Sequence, residues 1–99
     1  MRKGPLSVTV LLHDSSSSTT SPDVAAVAWA IPRRVGVAVT RNQVRRRLRA
    51  ILADEHRVAP LPAGAYVFHV DPPAAALSFG ELSVAMHDLL SAVRSSVAA

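Results

Sequence analysis

Leu6, Val8, Val10 and Leu12 alternate with Ser7, Thr9, Leu11 and His13, the two-residue period of a strand with one apolar face. A second strand is predicted from Asp23 to Ile31, with Val27, Trp29 and Ile31 on one side and Ala26, Ala28 and Ala30 on the other. Between them, the Ser/Thr-rich residues 14–22 read as a flexible loop. Pro32 ends the second strand or marks it as an edge, and Gly36 turns the chain into a helix through a positive φ. Thr40 with Gln43 fits a capping box, and Val39 is placed to pack on Val44 as a staple. Val44, Leu48 and Ile51 fall in one narrow arc of that helix, with Leu52 at its edge. The helix is expected to fade near residues 54–57, before a proline- and glycine-bearing linker over 58–64.

Tyr66, Phe68 and Val70 alternate with Val67 and His69, a third strand over 65–70 stopped by Asp71-Pro72-Pro73. Ser78 with Glu81 forms a second capping-box pattern, and Leu82, Ala85, Met86, Leu89, Leu90 and Val93 recur at helical spacing behind it. The last residues, 95–99, are expected to fray. Strand, strand, helix, strand, helix predicts an α+β fold, a two-layer α/β sandwich with helices packed on one small sheet. The first two strands are expected to pair antiparallel. Ninety-nine residues make a single domain with one modest core, because 49% of the chain is apolar but only 4% aromatic.

Charge changes this picture most. Five arginines fall between Arg41 and Arg49, and residues 33–49 hold seven of the eleven Lys+Arg residues with no Asp or Glu among them. On the helix, Asn42, Arg45, Arg46 and Arg49 share a face away from the apolar arc, while Arg41 lies close to that arc and Arg47 on its opposite flank. No acidic residue one turn away relieves the repulsion. Guanidinium forks match phosphate oxygens, and counterion release from a polyanion supplies affinity. With a net charge of +4, the partner expected is nucleic acid.

The chain has no cysteine, which excludes disulfides and cysteine-ligated metal sites. No apolar run approaches the ~20 residues of a membrane span, and no signal peptide is expected, so the cytoplasm is the expected location. His13-Asp14, His87-Asp88 and His69 with Asp71 match no metal or triad spacing, and no protein-borne catalytic site is expected.

The run from Arg33 to Arg49, with its Val35-Gly36-Val37-Ala38-Val39 core, the Arg41-Asn42 pair and the basic residues after them, resembles the signature of the bacterial ribonuclease P protein component. Two positions depart from it. Pro32 stands where the family has serine, and Gln43 where it has the last arginine of Arg-Asn-Arg. The resemblance extends over residues 6–93 and implies a left-handed crossover around the basic helix, against the usual right-handed rule. The helix and first strand with which the family begins are expected to be missing here.

The resemblance further implies an RNA-binding domain spanning residues 1–99, the protein subunit of an endoribonuclease whose catalysis belongs to its RNA. Its partners would be ribonuclease P RNA and precursor tRNA, its metal Mg2+ acting through the RNA, and its state a monomer within the ribonucleoprotein. The RNA-binding residues would be Arg33, Arg34, Arg41, Asn42, Arg45, Arg46 and Arg49. The family's cleft for the 5′ leader of precursor tRNA would fall on the open sheet face, here Ala26, Ala28, Ala30, Val67 and His69, which is poor in stacking side chains. An arginine-rich module binding other RNA or DNA is the alternative reading.

Overall fold

The computed structural model describes residues 1–12 and 25–98, so the expected loop over 14–22 lies outside the described residues. In chain order the elements are β1 (Arg2–Lys3), β2 (Leu6–Leu12), β3 (Ala25–Ala30), a 3-10 turn (Arg33–Val35), α1 (Ala38–Val58), β4 (Gly64–Val70), a second 3-10 turn (Pro72–Ala76) and α2 (Phe79–Ala98). The α+β class and the two helices stand as expected from the periodicities. The two-residue β1, which no alternation could reveal, forms a hairpin with β2.

The strands lie in the order β1-β2-β4-β3, which corrects the expected pairing of the first two long strands. β4 separates them, antiparallel to β2 and parallel to β3. Its sequence explains the central place. Tyr66, Phe68 and Val70 are each about 1% exposed, so this strand supplies the largest apolar surface to bury. The alanine-rich β3, followed by a proline that cannot extend a ladder, takes the edge.

Both helices cover one sheet face. Leu48, Leu82, Met86, Leu89 and Leu90 are wholly buried against Leu6, Val8, Tyr66 and Phe68 in one continuous core. Met86 is filler, as its place in the apolar stripe implied. Trp29 packs from the edge, its ring stacked on Phe68 at 5.0 Å. Among the described residues no helix covers the opposite face: the register sets Ser7, His69 and Ala30 in one row and Thr9, Val67 and Ala28 in the next. Thr9 Oγ1 and His69 Nε2 lie 3.2 Å apart across it.

Helix α1 begins earlier than the capping-box pattern predicts. Val37 is its N-cap and makes no side-chain cap, so Thr40 sits inside the first turn. Gly36 decides this. Its φ of 155° turns the chain directly into the helix, and a Cβ there would lie 2.9 Å from Thr40 Cγ2. The staple fails too, since Val39 is 78% exposed. The helix also outruns its expected end and reaches Val58. By contrast, the second capping box forms: Ser78 N–H donates to Glu81 Oε1 at 2.9 Å and Glu81 N–H to Ser78 Oγ at 3.1 Å. The helix it starts runs on to Ala98.

Glu55 ties the two helices together. Its carboxylate lies 3.0 Å from His87 Nδ1 and 3.5 Å from Arg94 Nη1. Arg94 Nη2 also donates to the carbonyls of Glu55 and Ala59, at 3.3 and 2.6 Å. The Glu55 carbonyl also accepts the Ala59 N–H at 2.9 Å, whereas the Ala59 carbonyl lies past the last turn of α1, where the helix offers no N–H. His87, exposed on α2, thus has the Glu55 carboxylate as its partner.

Candidate nucleic-acid interface

Burying Val44, Leu48, Ile51 and Leu52 fixes the roll of α1 and so turns Asn42, Arg46 and Arg49 fully outward, with Arg45 half-exposed beside them. These four residues line one shallow depression on the helix flank. Arg45 Nη1 donates to Asn42 Oδ1 at 3.0 Å, which holds that guanidinium along the face. The Asn42 amide nitrogen is left as a donor next to the arginine, so both remaining polar ends suit an anion. Among the described residues, Arg46 and Arg49 have no carboxylate within 4 Å.

Arg41 behaves differently. It is half-buried, and its Nε donates to the carbonyl of Gly36 at 3.1 Å, locking the loop that enters α1. Arg33 and Arg34 form the exposed 3-10 turn just before that loop. Arg34 lies 3.6 Å from Asp71, which Arg2 also holds at 2.5 Å. The Arg2 guanidinium, then Arg34, keep the Asp71 carboxyl below its ordinary range. The structure therefore brings Asn42, Arg45, Arg46 and Arg49 together and sets Arg33, Arg34 and Arg41 around the entrance of the helix. Asp71 as a partner of Arg34 was invisible in the sequence, because the two meet only through the parallel crossover.

A second depression continues the first. Arg49 also lines a groove between α1 and the edge strand β3, with Val27, Trp29, Leu52, Ala53, His56 and Leu61. Sequence reasoning passed over His56. The signal was there in its spacing, since Asn42, Arg45, Arg49, Ala53 and His56 recur every three or four residues along one helix flank.

Among the described residues no three His, Asp or Glu side chains gather into a possible metal site. No helix is long and apolar enough to cross a membrane. The face is thus a set of guanidinium groups and the Asn42 amide on one helix flank, a donor set whose chemistry suits anions.

Comparison with known proteins shows the family. The family model of ribonuclease P matches residues 3–94, and the chain belongs to that family. It is 42% identical over 82 residues to the ribonuclease P protein component of Acidothermus cellulolyticus, an alignment covering 82% of this chain and 66% of that protein. To that of Nocardioides sp. it is 43% identical over 76 residues, covering 76% and 63%. The chain therefore spans somewhat less than two thirds of the length of these relatives. The solved RNase P protein of Staphylococcus aureus superposes with a TM-score of 0.71 at 15% identity, over 92% of this chain and 74% of that one. A mutant of the same protein superposes at 0.73, over 90% and 69%. At that identity the superposition speaks for the fold.

Proposed function

We propose that this chain is the protein subunit of ribonuclease P. It docks on the catalytic RNA through Asn42, Arg45, Arg46 and Arg49, flanked by Arg33, Arg34 and Arg41, and assists removal of the 5′ leader from precursor tRNA. The observation that carries this reading is the acid-free arginine face held outward by the packing of α1, in a chain of this family. Each phosphate neutralised there releases counterions, so affinity should fall steeply with salt. A face of guanidinium groups repels Mg2+, so in this reading the metal is coordinated by RNA and the protein supplies fixed positive charge beside it. The subunit acts as a monomer within a cytoplasmic ribonucleoprotein.

The open sheet face is the place for the leader strand. Its floor of Ala26, Ala28 and Ala65 is exposed and small, with His69 as its one ring among the described residues, so it offers little stacking. RNA docking is accordingly the main task and leader binding the lesser one.

Reconstitution tests the proposal. The chain is added to the ribonuclease P RNA of its source organism at low Mg2+, and leader removal from precursor tRNA is followed. Stimulation over RNA alone supports the subunit role. Tight binding without stimulation reduces the chain to a docking module, and equal affinity for duplex DNA of the same charge removes the RNA specificity on which the reading depends.

A further inference from the structure

The groove beside the arginine face has a composition that the docking of phosphates does not use. Its floor is apolar (Val27, Leu52, Ala53 and Leu61), one aromatic ring, Trp29, lines it, and its polar groups are Arg49 and His56. The histidine is set in one tautomer. Its Nδ1 accepts the Leu61 N–H at 3.0 Å, so the ring proton resides on Nε2, which is a donor. At about 370 Å³ the groove matches the small end of small-molecule sites and has room for one planar ring system, not for a helix.

Its position matters as much as its lining. Arg49 is shared with the depression formed by Asn42, Arg45 and Arg46. Arg45, Arg49 and Ala53 follow one another along one helix flank, about 6 Å per step at 1.5 Å rise per residue. A strand whose phosphates step along the arginines is thus delivered to the groove by the residue common to both.

We propose that this groove receives one unpaired nucleobase of an RNA strand whose phosphates lie on Asn42, Arg45 and Arg46. The base lies on the apolar floor by Trp29, Arg49 holds its adjoining phosphate, and His56 Nε2–H donates to a ring or carbonyl acceptor on its edge. The inference rests on the reading of the arginine face as an RNA-docking surface and adds a discrimination which that face lacks. Guanidinium groups alone accept any phosphate backbone, whereas only an unstacked base can enter the groove.

Trp29 is the only tryptophan in the chain, so its emission reports on the groove directly. A short single-stranded RNA and a blunt RNA duplex of equal length are titrated separately. Fluorescence anisotropy of the labelled RNA reports binding, and Trp29 emission reports occupancy. The single strand should bind and quench Trp29; the duplex should bind without quenching. Ala53→Leu fills the groove without altering charge. It should abolish the quench and weaken single-strand binding about tenfold, the scale of one lost base contact, while duplex affinity and the far-ultraviolet dichroism stay unchanged. Single-strand binding with unchanged Trp29 emission overturns the groove and leaves the arginine face standing, as does an Ala53→Leu variant that still quenches. Failure of both RNAs to bind overturns the docking surface and the groove with it.

Discussion

Arg94 donates to the carbonyl of Ala59 at 2.6 Å, and through this contact α2 closes the C-terminal end of α1. The same guanidinium reaches the carbonyl and carboxylate of Glu55. The basic helix is therefore anchored at the end away from the run Arg41–Arg49, and the clasp leaves the Asn42, Arg46 and Arg49 face exposed. Arg94→Ala should lower stability by about 1–3 kcal/mol, since it strips half-buried carbonyls of a charged donor. His87→Ala removes a mostly exposed partner of Glu55 and should cost well below 1 kcal/mol. Denaturant melts of both variants check the order, and a larger loss for His87→Ala would contradict this account of the clasp.

Leu48 has no exposed surface and faces the sheet from the middle of the basic run. Leu48→Ala should destabilise the domain by about 2–5 kcal/mol, the range for emptying a buried leucine site. RNA binding measured well below the melting temperature should be nearly unchanged, because the arginines keep their helix. A thermal melt with no shift would place this residue elsewhere.

Arg45→Ala with Arg46→Ala should leave the fold intact and flatten the dependence of RNA affinity on salt. Each lost phosphate contact lowers the slope of log affinity against log salt by about 0.7–0.9. Titrations across a salt series read this directly. An unaltered slope would remove this flank of α1 from the interface.

Gly36→Ala should destabilise the domain by about 1–3 kcal/mol, through a backbone angle that side chains rarely adopt. Contact with the Thr40 side chain adds to that cost. Adding Thr40→Ala removes the Cγ2 contact but keeps Cβ at 3.0 Å, so it should recover part of the steric cost and none of the backbone part, and the double variant should melt between Gly36→Ala and the parent. Full recovery would mean that φ at Gly36 carries no cost.

Two carboxyl groups make stability depend on acid. The Ser78 N–H and hydroxyl hold Glu81 below its ordinary value of 4.5, and Arg2 and Arg34 hold Asp71 below 3.8. A depressed folded value means that the stabilisation is complete above the ordinary value and disappears as pH falls through the folded one. The melting temperature should therefore drop below about pH 4.5. Glu81→Gln with Asp71→Asn should be less stable than the parent at neutral pH and should converge with it in strong acid. Parallel melting curves across pH would show that neither pairing contributes.

The faces of the elements were legible because exposure alternates with a local period. Tyr66, Phe68 and Val70 inside with His69 outside follow from a two-residue repeat, as Val44, Leu48 and Ile51 inside follow from a helical one. Thr40 misled because a capping-box pattern is local, while the start of α1 was set by what Gly36 permits. The Ser78–Glu81 pattern held although Gly80 lies within it, because that glycine, unlike Gly36, takes no positive φ and leaves the helix start at Ser78 undisturbed.

The sequence by itself determined which residues of α1 face outward: once Val44, Leu48 and Ile51 must be buried, Asn42, Arg46 and Arg49 have nowhere to point but away from the core. It also carried, in Val35 to Val39 and the arginines after them, the membership of the ribonuclease P family. Only the tertiary structure decided that β4 lies between β2 and β3, that Asp71 meets Arg34, and that Trp29 and His56 line one groove with Arg49. Those relations join residues from separate elements. They are set by which surfaces bury the most apolar area when the sheet and helices close on one another, a competition that no local pattern along the chain records.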